Sequence, residues 1–321
     1  MDIESLFLEF HSRLIPSDAT LDKARKSCEY IKQVLNNEED LAPSKFYYSG
    51  SYAKSTNIAP LKDIDLALYY SIDDWRKTDG SLYLPGIVVG RIFSRMKKLH
   101  GFRLTIRRQN RSIGLGFRDF DIDLVPALWD GNDQGYALIP NRDSNNWLVT
   151  SIPLHIEFLK NRDKTYRPYA KTIRIVKAWG KNNAVNFPGF ALELLTIKAL
   201  DTYGTSNNLA VCFYNVMNYI SETKLKIPVF FIDYYSKDKI DVKQKPIIIV
   251  DPVNPKNNVA NSLNIFNRAH LINKVETTLR IAELAFKADF NNKQKLAHLH
   301  WYRIFKEPFP KPKLIHFVKY S

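Results

Sequence analysis

The apolar residues of this chain recur with two different periods, and the change between them falls near Ser151. Helical periodicity opens the chain, in segments 3–14 and 17–36. Runs that alternate or stay apolar then predict strands, with one helix over residues 85–99 between them. The predicted strands cover residues 45–48, 63–70, 102–108, 112–118 and 120–125, followed by a strand–loop–strand passage over 136–150.

After Ser151, helical periodicity returns and lasts most of the way to the end, including a helix expected over about 259–286. The pattern therefore predicts an α+β protein in two parts. Residues 1–151 are expected to form a β-sheet with helices, including an N-terminal helix, and residues 152–321 a mainly helical lobe.

Two of the predicted strands carry paired aspartates. Asp63 and Asp65 share one face of their strand, and Asp121 and Asp123 share one face of another, with apolar residues on the opposite faces. Such pairs often belong to a solvated face. The alternative interpretation is a cation site. Adjacent carboxylates raise each other's pKa unless a cation neutralises them, and Mg²⁺ prefers oxygen ligands. Two-metal phosphoryl transfer needs about three such carboxylates, which two neighbouring strands can supply.

A Gly-Ser turn at Gly50 and Ser51 precedes the first aspartate pair. The surrounding segment SGSYAKST is not a P-loop, because that motif needs a second glycine directly before Lys-Ser/Thr and Ala53 stands there. The turn instead offers backbone donors, unhindered at the glycine, to a phosphate near the carboxylates.

Composition limits the partners of the protein. The formal charge of +14 favours polyanions such as triphosphates or nucleic acid, although many basic proteins have no such partner.

No run of eighteen apolar residues is present, so we expect no membrane contact. Cys28 and Cys212 suit a reducing cytoplasm and cannot form a zinc module. The histidines lack the companions of a metal site: His298 and His300 are interpreted as exposed or packed residues, and His11 and His155 as surface or boundary residues.

Basic residues recur at spacings of three and four in the first helices of the second part: Arg167, Lys171, Arg174, Lys177 and Lys181. This stripe is either a solvated basic face or a surface that binds phosphate. Ile173, Val176 and Trp179 lie on a different face and should pack inward.

These segments together resemble a known superfamily. The motifs are GSYAKST at 50–56, DIDLAL at 63–68, DLVPAL at 123–128, RIVKAW at 174–179, FPGFALELLT at 187–196 and DPVNPKNNV at 251–259. A Gly-Ser turn, an Asp-x-Asp strand and a later aspartate strand are the signature of the nucleotidyltransferases that include DNA polymerase β. The wider set is similar to the branch of oligoadenylate synthetases, cyclic GMP-AMP synthase and bacterial CD-NTases. The resemblance implies an α+β fold with a polymerase β-like catalytic core, which is a mixed β-sheet with flanking helices, and a helical, oligoadenylate-synthetase-like C-terminal lobe.

The resemblance also implies site residues. Asp63, Asp65 and Asp123 would act in catalysis and hold two Mg²⁺ ions, with Mn²⁺ as an alternative; family spacing favours Asp123 over Asp121, which strand geometry does not separate. The nucleotide-binding residues would be Gly50, Ser51, Lys54, Lys177 and Phe190. Phe190 is otherwise simply a core aromatic. The chain departs from oligoadenylate synthetases at Gly189 and Phe190, where they have a polar residue and a tyrosine, so adenine specificity is not implied.

The function implied is the joining of ATP and other NTPs into a cyclic di- or oligonucleotide second messenger in bacterial antiphage (CBASS) signalling. We expect a monomer, a nucleic-acid or protein activator, and an effector protein that reads the product. Three alternatives remain: an RNA-activated linear oligoadenylate synthetase, an RNA or tRNA 3′-end nucleotidyltransferase, and a non-catalytic nucleic-acid-binding module.

Overall fold

The computed structural model describes residues 2–100, 103–141, 145–164 and 168–312. The helices are α1 Ile3–Leu14, α2 Asp18–Asn36, α3 Gly50–Ala53, α4 Pro85–His100, α5 Ile152–Asp163, α6 Tyr169–Asn182, α7 Gly189–Tyr203, α8 Leu209–Thr223, α9 Ile265–Phe290 and α10 Gln294–Phe305. The strands are β1 Lys45–Ser49, β2 Asp63–Ser71, β3 Thr105–Arg108, β4 Ile113–Gly116, β5 Asp121–Trp129, β6 Tyr136–Asn141, β7 Asn146–Ser151, β8 Val250–Asp251 and β9 Asn254–Asn258.

A seven-stranded mixed sheet carries the first part of the chain. Its order is β1-β2-β5-β4-β3, and β6 pairs with the far end of β5 and then with β7. β1 and β2 are antiparallel, whereas β2 and β5 run parallel over nine residue pairs. The predicted mixed sheet with flanking helices is confirmed.

Strand alternation divides the two faces of this sheet. Ile64, Leu66 and Leu68 of β2 pack with α2 and α4 in one apolar cluster, as their spacing predicted. Ala67 and Tyr69 belong to a smaller cluster on the opposite face. The aspartates of β2 are therefore on the face away from α4.

The largest apolar cluster joins α1 to helices α5–α10. Leu6, Phe7 and Phe10 are almost completely buried in it, so the first helix packs with the helices that come last in the chain. β7 ends at Ser151 and α5 begins at the next residue. The division of the chain into two domains there stays a prediction.

Local capping sets several helix ends. The Ser17 hydroxyl accepts from the Thr20 amide at the start of α2, as polar residues at such positions indicate. α9 begins with an Asn264–Asn267 capping box instead of near residue 259, because residues 258–263 form successive turns. Among the helices in the described ranges, none is long and apolar enough to cross a membrane.

Candidate active site

The aspartates of the two strands are brought side by side by the β2–β5 register. Asp65 lies opposite Asp123, and Asp63 lies opposite Asp121. Neighbouring strands are about 4.8 Å apart, so carboxylates at paired positions share one small region. The sequence suggested only that the aspartates of the two strands lie close together. Parallel pairing between strands more than fifty residues apart is what brings them together.

Without a bound cation, the neighbouring carboxylates of this region disfavour one another's ionised forms. Burial, and then Asp63 and Asp123, raise the pKa of Asp65 to about 7. Burial and Asp63 likewise raise the pKa of Asp123. In the described residues, no three His, Cys, Asp or Glu side chains are already grouped to hold one ion. The oxygen donors and their mutual repulsion nevertheless fit a hard divalent cation.

Two residues of β3 and the loop after it distinguish the carboxylates of β5. Arg107 forms an ion pair with Asp121, which neutralises that carboxylate. Asp123 instead accepts a hydrogen bond of 3.0 Å from the Gln109 side-chain amide. Because this donor is neutral, it does not cancel the charge of the ionised Asp123 carboxylate. A Cβ at Gly114 would lie 3.1 Å from Asp123 Oδ1, so glycine leaves room at this carboxylate. These contacts favour Asp123 as the third acidic residue.

Gly50 lies directly against Asp65. Its φ is +60°, and a Cβ at this position would lie 1.8 Å from Asp65 Oδ2. Both the backbone conformation and the close approach therefore require glycine. Gly50 begins the four-residue helix α3, and Ser51 follows it, with its carbonyl oxygen accepting from the Thr56 amide. The predicted Gly-Ser turn thus abuts the carboxylates.

The two predicted phosphate-binding lysines share one buried carboxylate. Lys54 and Lys177 both form ion pairs with Glu193 of α7, and the Thr56 hydroxyl donates to the same carboxylate over 2.7 Å. Burial opposes ionisation of Glu193, but the two lysines lower its pKa to about 2. Burial lowers the pKa of Lys177, and Glu193 counteracts this. Two cations thus lie beside one carboxylate. Lys177 and Asp63 both line a cavity of about 370 Å³, here called the cleft.

Phe190 lies between the lysine cluster and a histidine. The Lys54 ammonium is 4.3 Å from the centroid of the Phe190 ring, and the His155 ring packs against the same phenyl at 5.1 Å, edge to face. Phe190 is only partly buried and packs against the large apolar cluster of the helices. It is therefore neither a fully enclosed core residue nor remote from the cleft.

His155 and Asp251 were not identified from the sequence. His155, interpreted there as a surface or boundary residue, has a mostly buried side chain whose Nε2 lies 2.7 Å from Asp251 Oδ1. Asp251 also accepts from the Val253 amide and the Asn257 side chain, each at 3.0 Å. The contact itself was not predicted, because the partner is 96 residues away in sequence. The acid within the apolar stretch ALELL was the one available signal for Glu193.

The cationic stripe of α6 is not a simple solvated face. Lys177 is drawn into the lysine–glutamate cluster, and the Arg174 Nε donates to the Asn57 carbonyl over 3.1 Å. Ile173, Val176 and Trp179 are buried, as predicted. Arg167 lies outside the described residues.

A mixed sheet with adjacent aspartate strands, a glycine corner against them and paired lysines from a helical lobe defines a polymerase β-like nucleotidyltransferase. Family models agree with this class. The Second Messenger Oligonucleotide or Dinucleotide Synthetase domain matches residues 1–163, and the C-terminal domain of 2′-5′-oligoadenylate synthetase 1 matches residues 141–295. The chain belongs to the second messenger oligonucleotide or dinucleotide synthetase family, and the predicted relationship to CD-NTases and oligoadenylate synthetases is confirmed.

Individual relatives are similar over most of the chain. A cyclic AMP-AMP-AMP synthase of Escherichia coli strain MS 115-1 is 26% identical over 304 residues, 92% of each chain. A CBASS oligonucleotide cyclase CdnC of E. coli strain KTE188 is 23% identical over 264 residues, 79% of this chain and 81% of the relative. The solved structure of E. coli MS115-1 CdnC with ATP has a TM-score of 0.81 at 25% identity, covering 97% of this chain and 99% of that one. The same protein in complex with HORMA-deltaN gives 0.78 at 25% identity, covering 96% of this chain and 98% of that one.

Proposed function

We propose that this nucleotidyltransferase joins ATP, alone or with other NTPs, into a cyclic oligonucleotide for CBASS antiphage signalling. The observation that carries the proposal is the parallel β2–β5 register, which sets Asp65 beside Asp123 while Gly50 abuts Asp65. The names of the relatives, a cyclic AMP-AMP-AMP synthase and a CBASS cyclase, support cyclisation and the signalling role.

Asp63, Asp65 and Asp123 would hold two Mg²⁺ ions, or Mn²⁺. Divalent ions at such a site increase the electrophilicity of a phosphate and the acidity of an acceptor hydroxyl. The chain's own contribution is to keep three carboxylates together although burial, and then their mutual repulsion, raise the pKa values of Asp65 and Asp123. Gln109 orients Asp123 by its hydrogen bond, and Arg107 removes Asp121 from the set.

Gly50, Ser51, Lys54 and Lys177 would bind the donor triphosphate. The lysines carry fixed positive charge into the cleft, and Glu193 holds both until phosphate oxygens compete for them. These donors would then already be in position to stabilise the negative charge that develops on the departing pyrophosphate.

Phe190 would contact the nucleotide base with its ring. A phenyl ring stacks on any base and offers no hydrogen bond, so selection among bases would come from other residues. His155 would keep the Phe190 ring in place, because the hydrogen bond to Asp251 sets the orientation of the His155 imidazole.

A protein partner is also part of the proposal. CdnC forms a complex with a HORMA protein, and we infer that a protein of this type regulates the present chain, which would otherwise be a monomer. A separate effector would bind the cyclic product.

Product identification tests the proposal. The purified protein is incubated with all four labelled NTPs and Mg²⁺ or Mn²⁺, with and without a cognate protein partner, and products are analysed by mass spectrometry before and after phosphatase treatment. We expect a phosphatase-resistant cyclic product without added RNA. Asp63→Ala with Asp65→Ala should abolish it without unfolding the protein, whereas Asp238→Ala with Asp241→Ala, at exposed positions, should not.

Other outcomes would identify the alternatives. Label found only at the 3′ end of added RNA would indicate an RNA-tailing enzyme, and RNA-dependent, phosphatase-sensitive ladders would indicate a linear synthetase. RNA binding with no turnover under any metal would indicate a binding module. Full activity of the Asp63→Ala, Asp65→Ala protein would contradict the assignment of the site.

A further inference from the structure

One row of paired residues crosses the mixed sheet on the face that carries the carboxylates. The row runs from Ser49 of β1 through Asp65, Asp123 and Gly114 to Arg107 of β3. Residues that are paired in register place their side chains on the same face of a sheet. Arg107 is therefore on the face of the aspartates, two strands beyond Asp123 and at the opposite end of the row from Ser49.

Two glycines of β4 let side chains from β3 and the loop after it lie across the sheet. A Cβ at Gly114 would lie 2.7 Å from Gln109 Nε2, and a Cβ at Gly116 would lie 3.6 Å from Arg107 Nη1. Gly116 is paired with Asp121, and Arg107 reaches that carboxylate across the glycine. The far end of the row is thus polar, and its cation belongs to Arg107.

The Arg107 guanidinium keeps most of its hydrogen-bonding capacity. It has several N–H donors, and among the described residues only its Nη2 makes a polar contact, with Asp121. The two side chains are 45% and 38% exposed. Exposed ion pairs contribute little to stability, so the guanidinium can turn from this carboxylate to another anion. An arginine with donors to spare beside catalytic carboxylates is suited to a phosphate.

The direction of the reaction decides which phosphate this is. Under the proposed function, the donor triphosphate lies at Gly50, which directly follows Ser49. The acceptor hydroxyl oxygen forms a bond to the α-phosphorus and its proton passes to water, while the bond from this phosphorus to pyrophosphate breaks and pyrophosphate keeps the electron pair. The attacking and leaving oxygens lie roughly in line. The acceptor therefore approaches from the side away from Gly50, which is the Arg107 end of the row.

The separation along the row suits one nucleotide. Two inter-strand spacings, about 10 Å in all, lie between the Cα atoms of Arg107 and Asp123. An acceptor whose sugar hydroxyl lies at the carboxylates extends its own 5′ phosphates away from them, and the long arginine side chain covers part of the remaining gap.

We propose that Arg107 binds a 5′ phosphate of the acceptor nucleotide and so selects nucleotides over nucleosides as acceptors. The inference rests on the donor site of the proposed function. It does not rest on cyclisation, because the first transfer between two nucleotides already needs an acceptor.

Acceptor selection tests the proposal. The donor is 2′,3′-dideoxy-ATP, which has no acceptor hydroxyl, and the acceptor is adenosine or α,β-methylene-ATP, which cannot donate a nucleotidyl group. Mass spectrometry quantifies the joined products. We expect kcat/KM for α,β-methylene-ATP to exceed that for adenosine at least tenfold. Arg107→Gln should lower this ratio below threefold, by reducing the use of α,β-methylene-ATP and not of adenosine.

Three further variants separate phosphate binding from other effects. Arg108→Gln changes the next residue of β3, whose guanidinium is on the opposite face and donates to the Gly86 carbonyl over 2.9 Å, and it should keep the ratio. Arg107→Lys keeps the charge and should keep a ratio of at least fivefold. Arg107→Gln combined with Asp121→Asn leaves no carboxylate unpaired by the loss of the arginine, and this double variant should behave like Arg107→Gln.

Several outcomes would overturn the proposal. These are equal use of adenosine and α,β-methylene-ATP by the wild type, use of neither, a preference that Arg107→Gln retains, and a preference that Arg108→Gln loses equally. A linear product from the four NTPs would contradict the proposed cyclisation instead. The acceptor ratio would still be measurable in that case, because a single transfer is enough to determine it.

Discussion

Gly50 and Asp65 depend on each other more directly than any other pair in the candidate site. The glycine has a left-handed φ, and the space that its Cβ would fill is taken by the Asp65 carboxylate. The sequence shows a glycine ahead of an aspartate pair but cannot show that the two touch. That contact explains why a small residue is needed at this point of the chain.

We predict that Gly50→Ala lowers synthesis at least a hundredfold, because the new methyl group displaces the Asp65 carboxylate. Gly80 is the matched control, since its φ is +81° and a Cβ there meets nothing within 4 Å. Gly80→Ala should carry the same kind of backbone strain, about 1–2 kcal/mol, and retain activity. Initial rates and urea unfolding of both variants separate the two effects. Equal activity in the two variants would contradict the contact argument.

The two aspartates of β5 should differ sharply on substitution. Asp123→Asn should lower kcat at least a hundredfold, because it removes an oxygen charge beside Asp65. Asp121→Asn should lower kcat less than threefold, since that carboxylate is paired with Arg107. Steady-state kinetics with circular dichroism as a control for folding check this prediction. A larger effect at Asp121 would reverse the assignment of the third carboxylate.

At the scale of elements, three separate helices meet around one buried carboxylate. α3 supplies the neighbourhood of Lys54, α6 carries Lys177, and α7 carries Glu193 between them. The helices α6 and α7 were predicted from apolar periodicity, but the shared carboxylate was not. Pairing a buried acid with two lysines depends on how helices pack, which periodicity does not encode.

Glu193→Gln should lower the free energy of unfolding by about 3 kcal/mol, because two buried lysines lose their counter-charge. Saturating ATP should then raise the Tm of this variant more than that of the wild type, since its phosphates supply the missing negative charge. Glu276→Gln breaks an exposed ion pair with Lys224 and should cost at most about 1 kcal/mol. Differential scanning fluorimetry with and without ATP measures both. An equal ATP shift in Glu193→Gln and wild type would contradict a phosphate-binding role for the lysines.

At the scale of the whole molecule, the start of the chain is tied to its far end. α1 packs with helices from the second half, and its His11 is buried next to Arg174 of α6. Burial, and then Arg174 and Lys171, lower the pKa of His11 to about 4. The neutral imidazole thus becomes part of the contact between the two ends of the chain.

This contact should weaken in acid. The unfolded chain takes up the His11 proton near pH 6.5, whereas the folded chain resists protonation until about pH 4. The stabilisation is therefore complete above pH 6.5 and is lost as the pH falls, with about 2 kcal/mol lost between pH 7 and 5. Urea unfolding at these two pH values should show that loss in wild type and in the exposed control His270→Gln, but not in His11→Gln. An identical loss of the free energy of unfolding between pH 7 and 5 in all three proteins would contradict the assignment of this loss to His11.

The sequence by itself determined the features that depend on neighbours along the chain. The alternation of Asp63 and Asp65 with Ile64 and Leu66 fixed which face of β2 is polar, and the Gly-Ser turn and aspartate strands led to the family. Each of these follows from strand period, helix period or capping, which are local properties.

Only the tertiary structure decided which distant residues meet. The β2–β5 register set Asp65 beside Asp123, and helix packing brought His155 to Asp251 and the two lysines to Glu193. The physical reason is that these contacts join segments far apart in sequence, so that no local pattern specifies them.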